Sequence, residues 1–351
     1  MIKIAISGFG RIGRVTFRAA LEKYADRVEI AAINTSGSMD ISGWANLLKY
    51  DSVYGKFEKE IGVEIGKPAT QRTQKRSEST EIGAFLIDGR RYPVLAEREP
   101  GKIPWKNYGV EIVLECTGVF RTGKEAEGHL KGGAKKVIIS APTKDQTPTF
   151  LVGVNDDKYK GEVISNASCT TNCIAPIAKI MADNFKVVKA TMTTIHAYTA
   201  DQELVDGSHK DLRRGRAAGL NIIPTTTGAA EALSRVLPSF RGKFESLAIR
   251  VPVACGSLAD FTFVLDQTVR AERINNVFEQ ASGDERYKGI IEVTKDPIVS
   301  TDIIKNSASA IVDLSLTRVT GGNLVKVVAW YDNEWGYSCR LVELAALISK
   351  K

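Results

Sequence analysis

The segment Ser165 to Cys173, SNASCTTNC, sets a thiol among hydroxyls just ahead of IAPIAKIMAD, whose Ile174, Ile177, Ala178 and Met181 share one helical face. Cys169 therefore falls near a helix N-terminus, where the helix dipole favours a thiolate and a lowered thiol pKa is expected. A nucleophilic thiol needs a base to take its proton. The chain offers His129, His196 and His209. A packed core histidine is the default for any one of them. His196, near the end of VVKATMTTIHAY, is the candidate partner, although spacing alone does not show that the two meet. Cys173, one helical turn beyond Cys169, has no second pair of ligands nearby; it reads as a packed helix residue, and no metal is expected.

A second chemical signal opens the chain. Gly8-Phe9-Gly10-Arg11-Ile12-Gly13 has the G-x-G-x-x-G spacing, follows the β-rich KIAIS and precedes a helical pattern over Val15 to Lys23. In that setting one glycine permits a tight turn, the next lets backbone approach a pyrophosphate, and the third lets helix and strand pack. The helix N-terminus then faces the phosphates with free N–H groups. The acid that would bind the ribose of NAD belongs at the end of the second strand, VEIAAIN, which stops at Asn34. Thr35 and Ser36 follow it. Glu29 is too early and Asp40 too late, the latter better placed as N-cap of a helix over Ile41 to Lys49. A carboxylate here would repel a 2′-phosphate, whereas Thr35, Ser36 and neighbouring N–H groups can bond one. The missing acid points to NADP.

The elements that must position these groups fall into two regions. Strand, helix and strand alternate at first, with further buried strands expected at EIVLECTG (111–118), KVIIS (136–140) and LVGVN (151–155), as in a parallel sheet covered on both faces. After about residue 168, longer alternating strands appear at 187–198, 246–253, 257–266 and 324–332. They indicate a mostly antiparallel sheet with one face on helices. A helix over Gly336 to Lys350 carries Leu341, Leu344 and Leu347. Lys67 to Thr80 (KPATQRTQKRSEST) is polar and basic, and reads as an exposed loop.

With 351 residues, 43% of them hydrophobic, the chain can build two cores. The opening MIKIAISGFG does not read as a signal peptide. No apolar run is long enough to span a membrane. Five cysteines, an odd number in a large chain, are expected as free thiols in a cytosolic protein. The net charge of +7 would draw phosphorylated ligands. Its basic residues are interspersed with acids and lack aromatic platforms, so nucleic acid is not expected as the primary ligand.

SNASCTTNC, TIHAYTADQ, HKDLRRGRAAGLNIIPTTTGAA and WYDNEWGYS, in this order after GFGRIGR, resemble the phosphorylating glyceraldehyde-3-phosphate dehydrogenase family over nearly the whole chain. The resemblance implies an α/β fold: a Rossmann-type dinucleotide-binding domain (1–168, completed by the C-terminal helix 334–351) and an α+β catalytic domain with a mostly antiparallel sheet (169–333). It implies a cytoplasmic homotetramer that converts glyceraldehyde 3-phosphate and inorganic phosphate reversibly to 1,3-bisphosphoglycerate, in glycolysis or gluconeogenesis, with NADP or NAD as hydride acceptor. Cys169 would form a thiohemiacetal and then a thioester, and His196 would take the thiol proton. Thr199, Asp201 and Arg250 match the site for the substrate phosphate; Ser168, Thr170, Thr227, Gly228 and Arg214 match that for attacking phosphate. Arg11, Ile12, Arg98, Thr117, Ser140 and Asn333 match cofactor contacts, with Asn333 facing the nicotinamide amide.

Gly207-Ser208 stands where NAD-dependent members commonly carry Leu-Pro, and Ser208 would reach a 2′-phosphate on a neighbouring subunit's cofactor. Glu231 replaces a common Lys, with no evident meaning in the sequence. The nearest rival is erythrose-4-phosphate dehydrogenase, which hydrolyses the thioester. A cysteine hydrolase and a non-catalytic nucleic-acid-binding protein are more distant alternatives.

Overall fold

In the computed structural model residues 1–66 and 80–350 are described, so positions 67–79 of the basic stretch lie outside the described residues. The chain divides into two compact units. The first comprises Met1–Phe150, Tyr159–Ala167 and Ser338–Lys351; the second comprises Leu151–Lys158 and Ser168–Tyr337.

The first unit contains β1 (Ile2–Ser7), α1 (Arg11–Lys23), β2 (Val28–Thr35), α2 (Ile41–Lys49), β3 (Tyr50–Asp51), β4 (Gly55–Lys56), β5 (Gly62–Ile65), β6 (Glu81–Ile87), β7 (Arg90–Ala96), β8 (Ile112–Glu115), α3 (Gly123–Ala126), α4 (Gly128–Lys131), β9 (Lys136–Ile139) and β10 (Val163–Ser165). Eight of the strands form one sheet in the order β10-β9-β8-β1-β2-β7-β6-β5. From β10 to β7 the pairs are parallel; β6 and β5 close the edge antiparallel. Ile4, Ala5 and Ile6 of β1 are wholly buried, as a central parallel strand requires. The chain leaves β1 to one side for β2 and returns to its other side with β8. β1 is thus the switch point, beyond whose carboxyl end such sheets bind ligands.

The second unit contains α5 (Cys169–Asn184), β11 (Val187–Ala197), β12 (Ile223–Thr225), α6 (Ala229–Val236), β13 (Phe244–Val251), β14 (Ser257–Leu265), α7 (Ala271–Gly283), β15 (Ile291–Thr294), β16 (Ala310–Asp313), β17 (Arg318–Thr320) and β18 (Leu324–Tyr331). Its sheet runs β12-β13-β11-β14-β18-β16-β15, with β17 also paired to β18. Only β11/β13 and β15/β16 are parallel, so the sheet is mostly antiparallel. Alternate residues of β14 are buried, the pattern of a sheet with one face on helices. α8 (Trp335–Ile348) follows, and from Ser338 it belongs to the first unit.

Local chemistry explains where sequence and structure agree and where they part. Asp40 caps α2, its Oδ1 accepting the Gly43 N–H at 2.8 Å. α1 starts at Arg11 rather than Val15, with Gly10 as its N-cap. LVGVN is not a strand. Asn155 Oδ1 accepts the Leu151 N–H at 2.9 Å and Asp156 Oδ1 accepts the Gly153 N–H at 2.7 Å. These side chains satisfy the backbone as a turn, and Leu151 and Val154 are buried from it.

The glycine turn separates packing from access. A Cβ at Gly13 would lie 2.0 Å from the Gly8 carbonyl oxygen, whereas one at Gly10 would meet nothing within 4 Å. Gly13→Ala is therefore expected to destabilise the protein by about 1–3 kcal/mol through overpacking. Gly10→Ala should leave the melting temperature unchanged and weaken dinucleotide binding. Thermal denaturation and ligand titration of both variants check this; equal melting temperatures would count against it.

Candidate active site

Ser168 caps α5: its Oγ accepts the Thr171 N–H at 3.1 Å and sits 2.8 Å from Thr171 Oγ1. Ala167, just before it, holds φ at 53°, a strained setting for a residue other than glycine. Cys169 is the first helical residue and is half-buried, while Cys173 is fully buried in the same helix.

The partner arrives from β11. His196 is 4% exposed, and its Nε2 lies 3.5 Å from Cys169 Sγ. Its Nδ1 is 2.7 Å from the Ala197 carbonyl oxygen. Donation of an Nδ1–H to that carbonyl leaves the Nε2 lone pair facing the thiol, the tautomer a general base requires. Arg250, which pairs with His196 across the parallel β11/β13 register, donates from Nη1 to the Ala197 oxygen at 3.0 Å and also stands against Nδ1.

Burial, and then the Arg250 cation, hold the imidazole down to about 3, so His196 is neutral and free to accept a proton. Burial pushes the Cys169 thiol up, against the opposing pull of Arg250 and of the Thr170 hydroxyl and helix N–H groups. The expected lowering of this thiol is thereby corrected. A helix N-terminus contributes about 0.3–1 kcal/mol to an anion, and removing an ion from water costs several kcal/mol. Burial wins.

The anion-binding candidates regroup. Thr199 donates to Asp201, and Asp201 Oδ2 pairs with Arg214 Nη1 at 2.6 Å. Arg214 thus lies between the two sets, paired with Asp201 and bonded to the Thr226 carbonyl just before Thr227 and Gly228. Burial alone would raise Asp201, but the Thr199 hydroxyl, Arg214 and Arg250 hold its carboxyl below the usual range. Arg214 also donates to Thr225 Oγ1 at 2.8 Å and to the Thr226 carbonyl at 3.1 Å. Thr170 is buried, with its hydroxyl 3.1 Å from that of Tyr331 and 4.0 Å from Cys169 Sγ. Gly228 caps α6 without a side-chain bond and is exposed, and Thr227 Oγ1 accepts the Ala229 N–H at 3.3 Å. Glu231, on the same helix, pairs with Arg235 at 2.7 Å.

Tyr331 and Thr194 were missed from sequence. The Tyr331 ring meets that of His196 edge-on at 5.9 Å, and its hydroxyl lies 2.8 Å from Thr194 Oγ1. Thr194 precedes His196 by two residues and so shares its face of β11, a signal that strand alternation carries. Asn333 Oδ1 accepts the Gly256 N–H at 3.2 Å and the Ser257 hydroxyl at 2.9 Å, which turns its amide NH₂ away from these donors.

In the first unit, α1 begins without any side-chain cap, beneath the open space over Gly10. Uncapped N–H groups with room for a ligand fit a dinucleotide pyrophosphate. Arg11 and Ile12 are half-exposed there, Arg11 Nη1 pairing with Asp51 at 2.6 Å. Asn34 is buried and exchanges two bonds with the Glu97 backbone, at 2.9 and 3.0 Å. Thr35 is 2% exposed, its hydroxyl donating to the Leu95 carbonyl at 3.1 Å and accepting the Gly37 N–H at 3.2 Å. Both residues hold β2 to β7 and its continuation. The groups left facing solvent are Ser36, Ser38 and Arg98, whose Nε lies 3.4 Å from the Ser36 carbonyl oxygen. Thr117 bonds Glu115, and the Ser140 side chain bonds the Cys116 thiol. Ser208 is exposed in the long loop before β12.

Comparison with known proteins agrees with this arrangement. Residues 2–123 match the model of the glyceraldehyde 3-phosphate dehydrogenase NAD binding domain, and residues 168–333 match that of the C-terminal domain. The chain is 49% identical to the glyceraldehyde-3-phosphate dehydrogenase of Streptomyces coelicolor, covering 100% of this chain and 99% of the relative. It is 46% identical to the Mycobacterium leprae enzyme, covering 99% of each, and 45% identical to glyceraldehyde-3-phosphate dehydrogenase 2 of Bacillus subtilis, covering 98% and 95%. An uncapped glycine-rich helix start, a thiol–imidazole pair and full-length identity near one half place this chain in the glyceraldehyde-3-phosphate dehydrogenase family of oxidoreductases.

Proposed function

We propose that the protein oxidises glyceraldehyde 3-phosphate in the presence of inorganic phosphate to 1,3-bisphosphoglycerate, reversibly. The observation that carries this is Cys169 Sγ facing His196 Nε2 at 3.5 Å. Cys169 adds to the aldehyde carbon, and His196 takes the thiol proton and returns it to the carbonyl oxygen, giving a thiohemiacetal. A nicotinamide dinucleotide would supply the hydride acceptor, and the α1 N-terminus would hold its pyrophosphate. As the thiohemiacetal is oxidised, His196 accepts the hydroxyl proton and a thioester on Cys169 remains. Attack by phosphate breaks the C–S bond, and the thiol leaves regenerated. Thr199, Asp201 and Arg250 hold the substrate phosphate, while Ser168, Thr170, Thr227, Gly228 and Arg214 are the candidates for the attacking one, Arg214 touching both sets. Gly228, exposed at the start of α6, supports that assignment better than the engaged hydroxyls of Ser168 and Thr170.

NADP is the preferred cofactor in this reading, with NAD as the alternative. Support comes from the absence of a carboxylate at the end of β2 and from exposed Arg98 beside the Ser36 and Ser38 hydroxyls. Thr35 contributes by what it is not, since its own hydroxyl is engaged with the sheet. Five unpaired cysteines suit a reducing cytoplasm. A homotetramer is supported by the loop before β12, where Leu204, Leu212 and Leu220 are 85%, 85% and 84% exposed. Sedimentation showing only monomer would count against it.

Two outcomes test the chemistry. His196→Asn should lower kcat by about 10²–10⁴-fold. Burial pushes the thiol's titration up, so at neutral pH it depends on the facing imidazole to take its proton, a base the variant removes. Iodoacetamide alkylation of Cys169 at pH 7 should slow at least about tenfold, a displacement of about one pH unit, and keep rising at alkaline pH. Alkylation at the wild-type rate would contradict the pairing. For the cofactor, Arg98→Ala should lower kcat/KM for NADP⁺ about tenfold, roughly 1.4 kcal/mol, and spare NAD⁺. A wild type that uses NAD⁺ as well as NADP⁺, or an equal loss with both, would reject the preference.

A further inference from the structure

The first unit holds a buried polar cluster that the chemistry above leaves unused. Glu115, the last residue of β8, is 1% exposed, His129 of α4 is 0%, and Trp105 is 0%. Trp105 lies in a core with Val113, Val137 and Ile139. A carboxylate and an imidazole are costly to bury without full hydrogen bonding, so their partners reveal what the cluster holds in place.

Trp105 Nε1 donates to His129 Nδ1 at 3.0 Å. An indole nitrogen is only a donor, so Nδ1 carries no proton and Nε2 does. His129 Nε2–H then donates to Glu115 Oε2 at 3.0 Å. Glu115 Oε1 accepts the Thr117 backbone N–H at 2.8 Å and also the Thr117 hydroxyl. Thr117 Oγ1 in turn accepts the Val119 N–H at 3.1 Å. Donation runs one way, from indole through imidazole to carboxylate, and it ends on the turn 116–119. That turn is the wall of the glycine fingerprint: a Cβ at Gly8 would lie 2.6 Å from the Thr117 nitrogen.

We infer that Glu115, oriented by His129 and Trp105, is a positioning residue for dinucleotide binding. It fixes the backbone of 116–119 against Gly8, and so sets the width of the crevice beyond β1 into which the cofactor fits. The inference rests on the reading of the chain as a dinucleotide-dependent dehydrogenase. Three donors converge on this carboxylate. A glutamine in its place would turn an NH₂ towards one of them, leaving that donor unpaired in the core. Stabilising the core alone would not require the relay to end on a ligand-facing turn.

The test uses the full chain with Glu115→Gln, His129→Leu and His129→Gln. Titration with NADP⁺ and with NAD⁺ should show Glu115→Gln and His129→Leu weakening both dinucleotides about tenfold, the scale of one buried donor left unpaired. The KM for dinucleotide should rise with kcat unchanged, and Cys169 alkylation without cofactor should match the wild type. His129→Gln, which keeps an N–H for Glu115, should recover most of the affinity. Nitrogen-15 NMR of the wild type, independent of whether any variant folds, should show His129 protonated on Nε2 alone. Variants that retain the wild-type melting temperature and bind both dinucleotides as the wild type does would overturn the inference, as would an Nδ1–H. A wild type that binds neither dinucleotide would overturn the dehydrogenase reading itself, and this inference with it.

Discussion

A thiol and an imidazole face each other at 3.5 Å, one held at the first position of α5 and the other at the end of β11. Neither group is poised alone. Burial pushes the thiol up and holds the imidazole neutral, so in the proposed reaction the proton passes between them as the substrate is attacked. The surrounding residues make that geometry rigid. Ser168 caps the helix, the Ala197 carbonyl accepts from His196 Nδ1 and from Arg250, and Tyr331 closes the interior side with its hydroxyl between Thr170 and Thr194. A base held in one tautomer and one orientation loses nothing to reorganisation when the proton moves.

The same logic recurs in the first unit. The glycine turn works because backbone meets backbone: Gly13 against the Gly8 carbonyl, and Gly8 against the Thr117 nitrogen. Two side chains beside it that a sequence alone would assign to a ligand are engaged with backbone. Asn34 and Thr35 bind β2 to its neighbour through the Glu97 and Leu95 backbone. In the proposed NADP reading, recognition at that edge falls to exposed groups one or two residues further on, and to Arg98.

How much could be read in advance follows the range of the interaction. The glycine fingerprint, the Asp40 cap and the thiol at a helix start depend on residues within one turn, and each is visible in the sequence. The strand over 151–155 was misread because Asn155 and Asp156 side chains satisfy a turn more locally than Val and Leu favour a strand. Long-range facts were out of reach. The meeting of Cys169 and His196 needs α5 packed on its sheet, and the pairing of Arg250 with His196 needs the parallel β11/β13 register. The sign of the Cys169 shift was beyond local reading too, because the helix start is a sequence feature whereas burial is a tertiary one.

The central claim is that oxidation occurs on Cys169 and conserves its energy as a thioester. It is tested most directly by mixing the enzyme with glyceraldehyde 3-phosphate and oxidised dinucleotide without phosphate, then analysing the quenched protein by peptide mass spectrometry. The account predicts a burst of reduced dinucleotide equal to the enzyme sites, with one acyl group on the peptide carrying Cys169. Sustained turnover without phosphate, or an acyl group on any other residue, would contradict it.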